Sequence, residues 1–200
     1  MQDFWQQLGL TFIPLFIVLD APGNLPIVVS LTQGVPARER NKVINTSIIT
    51  ATLVGLAFLF FGQLILRALG ISVGSFAVAG GIILLVLAIK YMITGHMVEA
   101  IKEEMVAVVP IGTPLLAGPA TITTLLFLNT QFATWIVLLS FVLNMAAAWL
   151  IFVAGDRIMG FLGQGGIKAI SKVFALLLAA IAIDLMIRGL NLLNVLNTID

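Results

Sequence analysis

The sequence contains no cysteine and a single histidine. No Cys/His cluster, Gly-x-Ser-x-Gly or His-Glu-x-x-His pattern is expected to supply a metal or reaction centre, so no enzyme, metal or cofactor is expected, and the redox compartment leaves no mark on the chain. Charge is scarce as well. Only 10% of residues are Asp, Glu, Lys or Arg, against roughly 25% in a soluble domain, and a watery surface cannot be built from that stock. The formal balance of +1 gives no basic excess for nucleic acid. Low-complexity tracts, long linkers and heptad runs are also missing. The first residues include Asp3 and no positive n-region, and the apolar stretch after them runs into Asp20-Ala21-Pro22 without a small-x-small cleavage site. It reads as a retained first span.

What is present is 60% hydrophobic residues, in runs of the roughly 20 residues that cross a hydrocarbon core. The runs predict six transmembrane helices at about residues 8–31, 43–66, 71–94, 106–129, 133–154 and 169–192. Short polar joints separate them. Arg38, Arg40, Lys42, Lys90, Lys102, Arg157, Lys168 and Lys172 fall on one side and Arg67 and Arg188 on the other, eight basic residues against two. By the positive-inside rule, both termini are expected outside the cytoplasm. Gly160, Gly163, Gly165 and Gly166 crowd the joint before span six. A phosphate loop would need a strand-to-helix setting, so a flexible turn is expected there.

An internal repeat organises the spans. Span three ends Ala88-Ile89-Lys90-Tyr91-Met92-Ile93-Thr94-Gly95 and span six ends Ala182-Ile183-Asp184-Leu185-Met186-Ile187-Arg188-Gly189, five matches in eight. Spans one and four carry Pro14 with Pro22 and Pro110 with Pro119. Two halves of three spans, about residues 1–97 and 104–195, follow within one membrane domain over 1–200. With an odd number of crossings each, they enter the membrane in opposite senses, the inverted repeat of many secondary transporters. The expected fold is therefore all-α integral membrane, with helices 1 and 4 broken near the midplane.

Asp20-Ala21-Pro22-Gly23-Asn24-Leu25-Pro26 occupies the middle of span one, where a helix should be most regular. An interior proline costs about 3 kcal/mol and a central Asp roughly 2.5 to 3.5 kcal/mol on insertion scales. Irregular backbone at this depth has to be buried in protein or line a wet cavity. Span four repeats the device with Pro110, Pro114, Gly118 and Pro119, followed by Ala120, Thr121, Thr123 and Thr124. An ordinary proline kink explains one such span; matching positions in both halves point to a site. Where the helices resume, Asn24 is expected as an N-cap and Pro119 suits the first turn, so the free amides and the helix dipole at each end can take an anion. A substrate carboxylate held by these ends, with its ammonium on free carbonyls and Asp20, is a zwitterion's pattern. Asp20 has two other roles open to it, taking up a coupling proton or serving only as a cap.

The candidate substrate-binding residues are thus Asp20, Pro22, Gly23, Asn24, Gly118, Pro119, Ala120 and Thr121, with Asn144 and Thr123 as cavity-lining candidates. For Asn144 an interhelical hydrogen bond is an equal reading. Gly74, Ser75, Ala77, Ala79, Gly80 and Gly81 allow close helix packing in span three. Lys90 and Asp184 hold matching places in opposed halves, so no ion pair is expected between them. His96 and Glu99 stand three apart, but a lone His on a polar joint reads as solvated.

The first motif, together with Val109-Pro110-Ile111-Gly112-Thr113-Pro114-Leu115-Leu116-Ala117-Gly118-Pro119, resembles the MarC family, which includes the SnatA amino-acid transporters, and the resemblance covers essentially the whole chain. That family's first motif usually reads Asp-Pro-x-Gly-Asn-Leu-Pro, so Ala21 departs from it by one proline. The resemblance implies a multi-pass bacterial or archaeal inner-membrane protein that moves small neutral amino acids such as glycine and alanine. The function expected is secondary transport of these, with export as the expected direction, proton or sodium as coupling ion, the lipid bilayer as surroundings and a homo-oligomer as an assembly to be considered. A channel, a lipid flippase and a noncatalytic scaffold are the alternatives.

Overall fold

The computed structural model describes residues 3–32, 36–94 and 116–193. Among them are seven helices and no strand: α1 Phe4–Leu19, α2 Ala21–Leu31, α3 Ala37–Ala68, α4 Val73–Thr94, α5 Pro119–Gln131, α6 Thr134–Val153 and α7 Gly155–Leu192. Five stretches are long and apolar enough to cross a bilayer: Phe4–Leu25, Arg38–Ala68, Val73–Lys90, Thr134–Val153 and Lys168–Leu192. They match expected spans one, two, three, five and six. Of span four the described residues hold α5, 13 residues or about 20 Å of helix. Its first part, with Pro110 and Pro114, lies outside the described residues, as do Lys102, His96 and Glu99.

Two expected joints are helical instead. α3 starts at Ala37 directly after Pro36, because proline sets the entry and nothing in Arg38-Glu39-Arg40-Asn41-Lys42 breaks a helix. Arg40 is tied there by an ion pair to Asp156 at the start of α7. The glycine-rich stretch before span six lies within α7, not in a flexible turn. Ile158 and Met159 pack against the main core, and the break is confined to Gly163, whose φ of 63° and ψ of 174° suit a residue without Cβ.

Contacts between helices give their directions. Phe4 stacks on Trp135, Thr11 meets Ser140, and Leu25 would be struck by a Cβ on Gly155, so α1 and α2 run parallel to α6. Trp149 donates to Asn45 at 2.7 Å while Gly55 lies against the Phe141 ring, so α3 runs antiparallel to it. α4 and α7 are also antiparallel. A Cβ on Gly74 would come 2.8 Å from the Gly189 carbonyl oxygen, one on Gly189 2.8 Å from that of Gly74, and Gly81 faces Ala182 and Met186. Lys90 and Asp184 are therefore separated by about 16 Å along this seam, and Asp184 bonds Arg188 at 2.8 Å.

These directions sort the chain ends by face. The starts of α1, α4 and α6 and the ends of α3, α5 and α7 share one face, which carries Arg67 and Arg188. The other carries Arg38, Arg40, Lys42, Lys90, Arg157, Lys168 and Lys172. Exposed Trp5 and Trp135 mark the first face with the aromatic girdle of a membrane boundary. Between the faces, Leu15, Leu19, Ala21, Leu25, Leu116 and Phe141 belong to one buried cluster, so both helix breaks are set in the protein interior.

Candidate functional site

The break in the first span is a single residue. Asp20 closes α1 with φ 41° and ψ 49°, a left-handed conformation that Asp tolerates better than most side chains. Its backbone N–H donates to the Phe16 carbonyl at 3.2 Å. α2 resumes at once. The Asp20 carboxylate accepts from the Gly23 N–H at 3.1 Å and its carbonyl from the Asn24 N–H at 2.9 Å, while Pro22 has no N–H to offer. The carboxylate thus does what was expected of Asn24, capping the second half-helix. Asn24 lies inside α2 and spans the break in the other direction: its Nδ2 donates to the Leu19 carbonyl at 3.0 Å. Both side chains are buried, and Asn24 Oδ1 accepts from no described residue.

One hydrogen bond of this geometry recurs 97 positions on. Leu19, Pro22 and Asn24 correspond to Leu116, Pro119 and Thr121, and the Thr121 hydroxyl donates to the Leu116 carbonyl at 2.7 Å, five residues back as in Asn24 to Leu19. α5 then starts with Gly118 extended at φ −73° and ψ 174° and Pro119 in its first turn. Besides this backbone difference, the two ends differ in charge. Asp20 corresponds to Ala117, and no side chain of a described residue caps α5. The start of α2 is filled by a carboxylate of the chain itself, whereas the N2 and N3 amides of α5, on Ala120 and Thr121, keep their attraction for an anion.

Depth follows from helix rise. Asp20 is about 22 Å below Trp5 and Pro119 about 18 Å below Gln131, in a core about 30 Å thick. Both breaks are thus more than half of that thickness along their helices from the face that carries Trp5 and Trp135.

The remaining candidates divide. Thr121 and Thr123 are buried. Thr123 sits against Gly80, where a Cβ would approach its Cγ2 to 1.9 Å, so it belongs to the α4–α5 contact. Asn144 makes the interhelical hydrogen bond that was one of its two readings, donating to the Phe12 carbonyl at 3.2 Å and to Ser140 at 2.8 Å. Its Oδ1 accepts from no described residue. Above it, Thr11 and Ser140, both fully buried, meet hydroxyl to hydroxyl at 2.5 Å; a pattern of single polar residues in apolar helices gave no reason to pair them. Gly70-Ile71-Ser72-Val73-Gly74 has the spacing of a nucleophile elbow, but Ser72 is an exposed cap that accepts from the Ser75 N–H at 3.0 Å.

A cavity of about 470 Å³ opens between α1, α5 and α7, with Pro14, Thr124, Gln131, Asp184 and Arg188 in its wall. It lies at the face shared by the start of α1 and the ends of α5 and α7. On α1 and α5 its deepest residues, Pro14 and Thr124, stand about 9 and 8 Å above Asp20 and Pro119 along their helices. None of Asp20, Asn24, Gly118 or Thr121 lines it.

Comparison with known proteins places this architecture. The sequence matches the family described as MarC family integral membrane protein over residues 5–193. It is 31% identical to a UPF0056 membrane protein of Methanocaldococcus jannaschii, covering 90% of this chain and 94% of that one. A UPF0056 membrane protein of Escherichia coli is 31% identical, over 90% of this chain and 89% of its own, and one of Buchnera aphidicola 32%, with the same coverage. Relatives thus occur in bacteria and archaea, and each is named as a membrane protein. No solved structure matches.

Proposed function

The chain belongs to the MarC family of integral membrane proteins, and from that premise we propose that it is a secondary transporter of small neutral amino acids such as glycine and alanine, working as an exporter. The observation that carries this reading is the inequality of the two helix breaks. The α5 start has no side-chain cap from a described residue and can take an anion, and the α2 start holds the buried Asp20 carboxylate, bonded to the Gly23 N–H, with Asn24 Oδ1, which accepts from no described residue. A carboxylate on the Ala120 and Thr121 amides and an ammonium directed to Asp20 and Asn24 would satisfy both. Only a zwitterion brings the two groups together. The matched side-chain bonds to Leu19 and Leu116 and the antiparallel packing of α4 on α7 support two inverted halves. In this reading the basic face is cytoplasmic, the membrane is the inner one, and Asp20 is the group through which a proton or sodium gradient couples. Gly23, Gly118 and Ala120 leave room for small side chains.

The test is alanine uptake into proteoliposomes, with and without proton and sodium gradients, in competition with other compounds. Saturable uptake should be inhibited strongly by glycine and serine, weakly by lysine and glutamate, and not by acetate or ethylamine. Equal competition by acetate or ethylamine would defeat the zwitterion reading, and flux that fails to saturate would favour a channel.

A further inference from the structure

Arg188 and Asp184 occupy adjacent turns of α7 about 6 and 12 Å below its end at Leu192. Ionised groups at that depth are expected to face a wet cavity and not lipid, and both line the one between α1, α5 and α7. The Arg188 Nε donates to Asp184 Oδ2 at 2.8 Å, and its guanidinium stands 6.0 Å from the Phe127 ring centre. This fixes the plane of the fork and leaves the terminal N–H groups to donate elsewhere. Both side chains remain more than half exposed, 52% and 58%. Pro14 adds a third polar group. Lacking an N–H, it withdraws the helical partner of the Leu10 carbonyl, and Leu10 and Pro14 both line the cavity. A planar donor fork and a carboxylate thus share a pocket with Leu10 and Pro14, otherwise walled by residues that include Phe127, Leu128 and Ile181.

We propose that this cavity is a second binding site for zwitterionic amino acids, with the substrate carboxylate on Arg188 and its ammonium on Asp184 and the Leu10 carbonyl. The site rests on the transport reading above and deepens it: it is the station, on the face shared by the start of α1 and the end of α7, through which substrate passes between solvent and the helix breaks. At 470 Å³ it is several times larger than alanine, so charge, not side-chain size, governs what it accepts. Selection for small side chains then belongs to the breaks alone.

Two measurements on the full chain in proteoliposomes test this. Arg188→Gln should raise the KM for alanine about tenfold, the weight of one charge-assisted hydrogen bond, with the maximal rate within about twofold of wild type; Arg188→Lys should recover part of the affinity. In Gln131→Cys, the single thiol of an otherwise cysteine-free chain, saturating alanine should slow modification by a charged methanethiosulfonate about fivefold, and leucine should do so as well, whereas acetate and ethylamine should not. Unchanged KM in Arg188→Gln, or modification indifferent to alanine while the wild type transports it, would overturn the site and leave the transport reading standing. Failure of the wild type to transport any amino acid would instead remove that reading, and the site with it.

Discussion

Asp20 combines a backbone role and a chemical one, and three substitutions separate them. Asp20→Ala removes the cap on the Gly23 N–H, worth about 1 kcal/mol, and places a Cβ-bearing residue without local hydrogen bonding at φ 41°, which costs about 1 to 2 kcal/mol. The sum is a loss of about 2 to 3 kcal/mol. Asp20→Gly loses only a few tenths from the cap and gains backbone tolerance, so it should be near neutral. Asp20→Asn keeps both the cap and the tolerance for a left-handed backbone. Thermal unfolding of the purified protein, followed by tryptophan fluorescence, should therefore rank wild type, Asn and Gly together and Ala below them by about 4 to 12 °C, at about 2 to 4 °C per kcal/mol for a chain of this size. Alanine transport should rank differently, with all three variants impaired because each lacks the charge. Wild-type transport by Asp20→Gly or Asp20→Asn at equal expression would refute the reasoning and reduce the residue to a shaping element of the helix.

The matched bonds to Leu19 and Leu116 predict matched costs: Asn24→Leu and Thr121→Val should each destabilise by about 1 kcal/mol in the same unfolding assay, and a cost for only one would remove the equivalence of the two breaks. For topology, single cysteines at Arg38 and Lys168 should resist an impermeant maleimide applied to intact cells and react after permeabilisation; labelling of both from outside would invert the assignment.

Five of the six expected spans were legible because apolar runs of membrane length admit few other structures, and the breaks because proline, glycine and Asp are costly there. The division of basic residues between faces was legible for a similar reason: it depends only on span parity. What escaped were contacts made across sequence distance. Asn24 looked like the cap because Asn is a cap former, but nothing local shows that Asp20 turns left-handed and caps first. The helical joints around Arg38–Lys42 and Gly155–Gly166 were misread because polar and glycine-rich segments weaken a helix without forbidding it. Arg40 with Asp156, and Ile158 with the core, supply what propensity lacks. The cavity was invisible because its wall combines α1, α5 and α7, and Arg188 had been assigned to a boundary.

The hydroxyl pair of Thr11 and Ser140 also bears on how the protein is made. The two residues are 129 positions apart, so at about 5 to 20 residues per second Ser140 leaves the ribosome about 6 to 26 s after Thr11. Over that interval the first span, the least hydropathic of the five and the most buried in the finished fold, has neither Ser140 nor the Asn144 amide to meet its polar positions. It carries Asp20 through the same wait. Of these five spans, the one made ahead of the others is therefore the one least able to settle in lipid alone, and its stable placement comes late, when α6 is delivered beside it.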